Sequence, residues 1–442
     1  MVVLSLLAVG CTQKAPEPPA PPFQGQVVRV VLPDSGTRLT QYVRANVADW
    51  EVATGGKVQV VSGPQAVGDV YVGELVQLGQ WAAQFLPAEL PLDVYEPDPN
   101  APRDWPEAVR DHLWYWGTTR CVLPVSVRSY LLVCRTDALS DQQMRQLQTW
   151  QGLDQLLSEL PGDGPKLIVP DAVRAVLLRA ATYARTPESF AFFFDPWKNQ
   201  ILIDSPPFVR AVEEWRRVRD AVSFGDPEVF AESGAPLAIV ATDAVRPLLT
   251  EDAPGNYRFF RLPGTHEYYD HSRQTWRQAG EGAQEVHFVS FFDASVIVVD
   301  DGADHLDAAL SLAKQLGSPE VTLSGVIDPA ITHGPFRLSH FRRTATWAAA
   351  GWSVERLGSF FAATQTVLGH RIAVEPLQVR VGEALRRSLR ATLETLWSDA
   401  TPAQKALQQA KQAWQQAIEQ AGAEDVAEDY RRSVGLIGVT ER

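Results

Sequence analysis

The sequence predicts an α/β protein of two lobes, each a mostly parallel sheet with helices on its faces. Three observations predict this class. Short runs of β-branched and apolar residues alternate with helical patterns, which is the rhythm of βαβ units. The rhythm appears twice, once from residue 27 and again from residue 149. At 442 residues, the chain is long enough for two or three folded units.

The first group of elements lies between residues 27 and 72. The run VVRVVL (27–32) is typical of a buried strand, and apolar residues at spacings of four, four and three between 39 and 50 predict a helix. Gly55-Gly56 marks the end of that helix. Residues 57–61 and 70–72 predict two further strands, so this region forms one βαβ unit of a parallel sheet.

The second group repeats the pattern. Helices are predicted after Thr149 and after Ser205-Pro206, and strands at 166–169, at 236–240 and, as SVIVV, within 288–299. A helix over 306–316 follows the last strand and ends at Gly317. A long helix from Thr401 to Gly422 carries one apolar stripe, which is typical of a docking face.

Composition excludes several function classes. The net charge is -13 with no basic block, which argues against nucleic-acid binding. The sequence contains no H-E-x-x-H, G-x-S-x-G, P-loop or G-x-G-x-x-G motif, and its eight histidines are dispersed. We therefore expect no catalytic residues, no metal and no cofactor. An exported enzyme stays open as an alternative.

The N-terminus carries a candidate export signal. The apolar run 2–9 is too short to span a bilayer but suits the core of a signal peptide, although no Lys or Arg precedes it. Small residues before Cys11 resemble the lipobox of bacterial lipoproteins, so residues 1–10 are predicted to be a signal peptide and Cys11 the lipidated residue. Residues 11–25 are a Pro-rich linker. The alternative is a frayed apolar N-terminus.

Several short motifs occur in a recognisable order along residues 27–422. They are GDVYV (68–72), LPV and LLV (123–125 and 131–133), TW (149–150), the strand after Phe230, LPG (262–264) and the helix from Thr401 to Trp414. Together they resemble the bacterial extracellular solute-binding proteins of ABC importers, of the sugar-binding, maltose-binding-protein-like type.

This resemblance implies a two-lobe periplasmic-binding-protein fold (type II) with a ligand cleft between the lobes. It assigns 26–127 with 292–334 to the N-terminal lobe and 128–291 with 335–442 to the C-terminal lobe. The implied function is capture of a small solute, a carbohydrate or related polar molecule, by lobe closure and delivery to ABC permease subunits. We expect a monomer in the periplasm or at the cell surface, anchored by an N-terminal lipid. A ligand-less structural lipoprotein of the same fold is the alternative.

The predicted topology nominates four loops for the site. Open α/β sheets bind ligands beyond the carboxyl ends of their strands. The loop residues at these ends are Asp34, Ser35, Gly73, Glu74, Asp171 and Asp243. In the family that the chain resembles, the positions of Gly73 and Asp243 often carry aromatic residues that stack on sugars.

Arg128 lies where the resemblance predicts that the chain crosses between lobes. Related proteins often place a ligand-contacting carboxylate there, whereas an arginine could clasp a carboxylate, a phosphate or a pair of sugar hydroxyls. The other interpretation is an arginine satisfied by acidic residues across the hinge. Further candidates near the cleft are Tyr130, Phe291, Phe292, Asp293 and Arg337, with Trp197 and Trp352 as possible stacking surfaces.

Two more segments yield expectations. A lipidated Cys11 leaves Cys121 and Cys134 as a pair in an oxidising compartment. The resemblance makes 122–125 and 131–133 paired strands, which implies a Cys121–Cys134 disulfide.

The polar segment 265–284 is either a lid or an exposed insertion.

Overall fold

The computed structural model describes residues 20–33, 37–63, 66–96, 103–186, 189–280, 285–398 and 401–437. The predicted signal peptide, Cys11, most of the linker, and the candidate site residues Asp34 and Ser35 lie outside these ranges. Within the described part, no helix combines the length and apolarity needed to cross a membrane.

The strands follow the chain in this order: β1 Val27–Leu32, β2 Lys57–Ser62, β3 Val70–Glu74, β4 Tyr115–Trp116, β5 Thr119–Arg120, β6 Leu123–Arg128, β7 Tyr130–Arg135, β8 Leu167–Val169, β9 Phe194–Asp195, β10 Gln200–Ile201, β11 Val222–Phe224, β12 Leu237–Ala241, β13 Tyr257–Arg261, β14 Glu267–Asp270, β15 Thr275–Gln278, β16 Ser290–Phe291, β17 Asp293–Val299 and β18 Ala373–Val374.

The helices are α1 Arg38–Thr54, α2 Leu78–Ala82, α3 Leu92–Tyr95, α4 Glu107–Leu113, α5 Asp141–Gln146, α6 Trp150–Glu159, α7 Ala172–Ala184, α8 Pro206–Val218, α9 Pro227–Glu232, α10 Arg246–Leu249, α11 Leu306–Leu316, α12 Pro319–Ile327, α13 Leu338–Arg342, α14 Thr344–Ala349, α15 Val354–Leu368, α16 Gly382–Ser398, α17 Ala403–Ala421 and α18 Ala423–Ser433. Short 3-10 helices occupy Leu75–Gln77 and Arg219–Ala221.

Two five-stranded sheets form the centres of the two lobes. The first has the order β2-β1-β3-β17-β6 and the second β11-β8-β12-β7-β13. Both sheets pair in the same way: two parallel pairings are followed by two antiparallel ones, so only the fourth strand runs against the others. In each sheet the fourth strand follows a chain segment that belongs to the other sheet. The predicted class, two α/β lobes with mostly parallel sheets, is confirmed.

Local sequence explains the boundaries of α1. The side-chain oxygen of Thr37 accepts a hydrogen bond from the backbone N–H of Thr40 and caps the helix start. Gly55 has φ +73°, a left-handed conformation that suits glycine, and its N–H donates to the carbonyl of Glu51. The helix therefore begins and ends where its sequence pattern predicts.

The second sheet separates two apolar cores. Along β7, Leu131 and Val133 belong to the core that continues under the first sheet, which we call the first core. Leu132 and Cys134 face the opposite side and pack with α6, α7 and α8 in the second core. This alternation follows from the two-residue period of a strand.

The predicted Cys121–Cys134 disulfide is wrong. Both cysteines are free and buried, Cys121 in the first core and Cys134 in the second. The strands β6 and β7 do not pair with each other; β6 pairs with β17, and β7 with β12 and β13. Only Ser129 separates β6 from β7, so the chain runs on from one sheet into the other. An extended segment of this length can separate its ends by about 40 Å, whereas a disulfide needs less than about 7 Å.

The C-terminal helices cover the second lobe. The stripe predicted on α17 is buried, with Leu407 and Trp414 almost inaccessible to solvent. The sequence pattern did not predict α18, which continues after Gly422 and reaches the first lobe. There the N–H of Gly117, in the turn between β4 and β5, donates to the carbonyl of Arg432 over 3.0 Å.

Candidate ligand-binding site at the lobe junction

The chain crosses between the sheets twice at one place. β6 ends at Arg128 in the first sheet and β7 begins at Tyr130 in the second. The other crossing enters the first sheet at Asp293, the first residue of β17, which stands directly opposite Arg128 in the ladder. Ladder pairing therefore places an arginine and an aspartate side by side at the junction.

The guanidinium of Arg128 joins carboxylates from both sheets. Its Nε and Nη2 lie 2.8 and 2.7 Å from Oδ2 of Asp243, which follows β12 of the second sheet. Its Nη1 lies 3.5 Å from Oδ2 of Asp293. The charge of Asp243 is the main cause that raises the pKa of Arg128, against the opposing effect of burial. Arg128 is thus paired with carboxylates from both sheets, and its predicted contact with a ligand stays a prediction.

Glu74 adds a third carboxyl group to this cluster. It ends β3, and its Oε1 accepts a hydrogen bond of 3.3 Å from the hydroxyl of Ser295. Burial, followed by the negative charge of Asp293, raises the pKa of Glu74 to about 7, although Arg128 and Ser295 oppose the shift. Near neutral pH, Glu74 can therefore donate or accept a proton in a hydrogen bond. We call Glu74, Arg128, Asp243 and Asp293 the junction cluster.

Aromatic and charged residues of the second lobe flank the junction cluster. Asp171 caps α7 by accepting from the N–H of Arg174 at 2.8 Å. The Nε of Arg174 donates to the hydroxyl of Tyr130 over 3.3 Å, and the Tyr130 ring meets Phe291 edge-on at 6.0 Å. A small cavity of about 40 Å³ has Arg174, Phe291 and Asp293 among its walls. The structure thus brings Tyr130, Asp171 and Phe291 together beside the junction cluster.

Gly73 is a packing position. A Cβ there would lie 2.3 Å from Oε1 of Gln77 and 2.9 Å from the ring of Trp81. These two side chains already fill the space in which an aromatic side chain at Gly73 would extend. Because Gln77 and Trp81 lie directly against the strand here, this position favours glycine.

Two predicted ligand contacts are corrected by the structure. Phe292 is 0% exposed and belongs to the first core. Arg337 is also 0% exposed; it lies over the ring of Trp105 at 4.0 Å and pairs with Asp104 at 3.4 Å. A solute cannot reach either side chain in this arrangement. Trp352 likewise packs inside the first core and offers no open ring face.

The rim of the junction is closed by backbone contact between the lobes. Gly79, in α2 of the first lobe, lies against residues that precede α16 of the second. A Cβ on Gly79 would approach the carbonyl oxygen of Gln378 and the Cα of Val379 to 2.6 Å. The two lobes therefore touch directly at this point.

Sequence reasoning missed two further charged groups. The side chains of His112 in α4 and Glu375 near β18 are hydrogen-bonded, and Arg371 pairs with Glu107 at 2.7 Å. Burial alone would lower the pKa of His112, but the charge and hydrogen bond of Glu375 raise it. These partners are separated by more than 250 residues, so no local spacing indicates them.

The second missed group surrounds Arg179 on α7. Its guanidinium lies 2.6 Å from Asp154 and 3.6 Å from Glu214. A partial signal exists in the sequence, because Arg210 and Arg217 stand four and three residues from Glu214 on one helix and both pair with it. Within the described residues, no group of three or more His, Cys, Asp or Glu side chains is arranged to hold a metal ion.

The sequence matches no known family model and no curated protein. Solved structures with the same fold exist nevertheless. The sugar-binding protein MalE from the phytopathogen Xanthomonas citri is 16% identical with a TM-score of 0.62, covering 92% of this chain and 98% of that one. A cyclo/maltodextrin-binding protein complexed with maltotetraose is 13% identical with a TM-score of 0.63, covering 89% and 97%.

A third similar structure is an ABC transporter solute-binding protein from Agrobacterium radiobacter K84 in complex with ribitol. It is 12% identical with a TM-score of 0.59, and the match covers 90% of this chain and all of that one. The chain therefore has the fold of the ABC-transporter solute-binding proteins, and it is similar to the maltose-binding type over nearly its whole length.

Proposed function

We propose that the protein is the substrate-binding component of an ABC importer, and that it captures a carbohydrate or polyol between its lobes and delivers it to a membrane permease. The observation that carries this proposal is the junction cluster. Charged side chains from both sheets meet where the chain crosses from one lobe to the other. In such a fold, this is the place where a bound solute can couple to lobe closure.

We infer that closure depends on contacts between groups of the two sheets. Asp243 follows a strand of the second sheet, whereas Arg128 and Asp293 belong to the first. Opening the lobes weakens the link between Arg128 and Asp243, and a solute that bridges the two sides favours closure. Ligand binding then shifts the population toward the closed state by its differential affinity for the two forms.

The charge of the cluster supports an uncharged, hydroxyl-rich solute. Three carboxyl groups surround one guanidinium, so an anionic solute would meet net repulsion. Carboxylate oxygens accept hydrogen bonds from sugar hydroxyls, and the protonated form of Glu74 can also donate one. Maltotetraose and ribitol, the molecules bound in two of the similar structures, are both of this chemical class.

We further propose the lobe boundaries, the oligomeric state and the location of the mature protein. The lobes comprise 26–127 with 292–334 and 128–291 with 335–442, and the protein acts as a monomer held at a membrane by a lipid on Cys11. The Pro-rich composition of residues 11–25 supports an extended spacer between membrane and lobes. Periplasm or cell surface is the corresponding location.

A ligand-less structural lipoprotein is the second candidate, and one observation favours it. The backbone of Gly79 lies directly against that of Gln378 and Val379, so the lobes touch at this point. If that contact holds the lobes permanently, the cleft does not open to admit a ligand.

A thermal-shift screen tests both candidates. Wild-type protein is melted with maltose, maltotetraose, ribitol, tagatose and a broader panel of sugars and polyols. We expect at least one compound to raise the melting temperature, because binding to the native state alone adds about 2.7 kcal/mol at a hundredfold excess over Kd. X-ray scattering with that compound should show a smaller radius of gyration. If no compound has an effect, the transport proposal fails and the structural candidate gains support.

A further inference from the structure

Two adjoining cavities form a groove that is separate from the junction cluster. One cavity, of about 360 Å³, lies between α4, the turn after β4 and the end of α18. The other, of about 660 Å³, lies between the β9–β10 turn and the β14–β15 hairpin. Both are lined by Thr186 and Phe190, so they adjoin at these residues. We call the two cavities together the aromatic groove.

Exposed aromatic rings are concentrated in this groove. In the described part of the chain, four aromatic side chains are exposed by 38% or more, and these are Tyr115, Phe190, Trp197 and Phe224. Three of them, all except Phe224, line the aromatic groove. Trp197 is 72% exposed, although tryptophan is usually well buried. Clustered exposed rings in a concave surface are typical of a binding site.

The backbone holds Trp197 in this outward position. Asp195 ends β9, and its Oδ1 accepts hydrogen bonds from the N–H groups of Trp197 and Lys198 at 3.0 and 3.1 Å. Asn199 has φ +51° and completes the turn into β10. The Trp197 ring is therefore presented from a fixed turn, so little conformational entropy would be lost when a ligand stacks on it.

Polar groups occupy the groove between the rings. The guanidinium groups of Arg273 and Arg277 lie 3.8 and 3.6 Å from Asp270 and are 63% and 46% exposed, which leaves donors free to reach a ligand. Lys198 on the opposite side is 57% exposed. The groove thus combines apolar ring faces with hydrogen-bonding groups.

A chain of sugar rings matches this combination. Each sugar offers an apolar C–H face for an aromatic ring and hydroxyl edges for charged side chains. We propose that the aromatic groove binds an oligosaccharide, with sugar faces against Phe190 and Trp197 and hydroxyls bonded to the neighbouring arginine, lysine and aspartate side chains. This site is additional to the cleft and does not depend on the transport function.

Calorimetric titration of the whole protein tests the groove. The probes are maltotetraose, which is neutral, and tetragalacturonate, which is anionic. We expect at least one probe to bind, and Phe190→Ala and Trp197→Ala each to weaken that binding at least tenfold. Phe224→Ala is a matched control, because Phe224 is 41% exposed against 40% for Phe190 but lies outside the groove; its effect should stay within about twofold. Absence of binding by both probes, or unchanged binding by the groove variants, overturns the proposal.

An Arg128→Met variant separates the groove from the cleft. Circular dichroism first verifies that each variant is folded. If Trp197→Ala removes a binding step that Arg128→Met retains, that step belongs to the groove. This holds even when the titration shows a second binding step. If instead Arg128→Met alone removes all binding, the sugar occupies the cleft. This result supports the transport proposal and overturns the proposal of a sugar site in the groove.

Discussion

Two arginines, Arg128 and Arg179, each meet two carboxylates, yet their surroundings differ. The side chain of Arg179 is 0% exposed and lies between the rings of Trp150 and Trp215, 4.7 and 4.4 Å from their centres. The side chain of Arg128 is 32% exposed and stands at the junction of two lobes. One charge is enclosed within a lobe, and the other is shared between lobes.

The two arginines differ in whether a movement of the lobes can change their contacts. All elements around Arg179 belong to the second lobe, namely α6, α7 and α8, so lobe movement leaves its contacts unchanged. The contacts of Arg128 extend across the junction, and its charge acts on Glu74, whose pKa is raised to about 7. Partial exposure, excess negative charge and a position between sheets are the features on which we propose that this site responds to a ligand.

The largest expected effect is a loss of stability when Arg179, the enclosed arginine, is replaced. Arg179→Met leaves Asp154 and Glu214 without their buried partner, and we expect a loss of about 3–5 kcal/mol in the free energy of unfolding, measured in urea. Arg217→Met is the control, because Arg217 also pairs with Glu214 but is 72% exposed; it should cost less than about 0.5 kcal/mol. Similar losses in the two variants would contradict an enclosed structural role for Arg179.

A smaller, pH-dependent effect is expected at the junction. Because the pKa of Glu74 is higher in the folded protein than in the unfolded chain, its contribution to stability is complete at low pH and is lost as the pH rises through about 7. Glu74→Gln should therefore stabilise the protein by about 1–3 kcal/mol at pH 8 and change little near pH 4.

Urea unfolding between pH 4 and pH 8.5 measures this difference. Glu89→Gln in the same lobe, with a side chain 71% exposed, is the control and should change stability by less than about 0.5 kcal/mol at each pH. A Glu74→Gln variant that is less stable than wild type at pH 8 would mean that the ionised carboxylate is a net stabilising partner of Arg128.

The smallest expected effect concerns the rim. Gly79→Ala places a methyl group against the backbone of Gln378 and Val379, so the lobes must separate slightly, at a cost of about 1–2 kcal/mol. Gly358→Ala in α15 is the matched control, because no atom lies within 4 Å of its new methyl group; we expect it to stabilise slightly. X-ray scattering should show a larger radius of gyration for Gly79→Ala alone. An unchanged radius would mean that the rim does not control lobe closure.

The sequence predicted the layers of the fold because periodicity reports directly on burial. The strands at 27–32, 57–61 and 236–240 and the helix at 306–316 lie within one residue of their predicted limits. The candidates Glu74, Arg128, Asp243 and Asp293 meet at the junction, because strand ends and chain crossings converge there.

The failures concern facts that no local pattern encodes. Whether two consecutive strands turn back or continue into another sheet depends on their distant partners. Here the partners lie in different sheets, so Cys121 and Cys134 do not form a disulfide. Arg337 carries a charge that is usually exposed, but Trp105 and Asp104 from another segment enclose it. The pairing of Arg179 with Asp154 likewise joins two helices whose contact only the tertiary structure reveals.

Calorimetric titration with a sugar identified in the thermal-shift screen is the most direct test of the central claim that the junction cluster binds the solute. The three proteins to compare are wild type, Arg128→Met and Arg179→Met, each verified as folded at the working temperature. We predict the same Kd within about threefold for wild type and Arg179→Met, and at least tenfold weaker binding for Arg128→Met. Equal affinity in all three proteins would contradict the assignment of the solute to the junction.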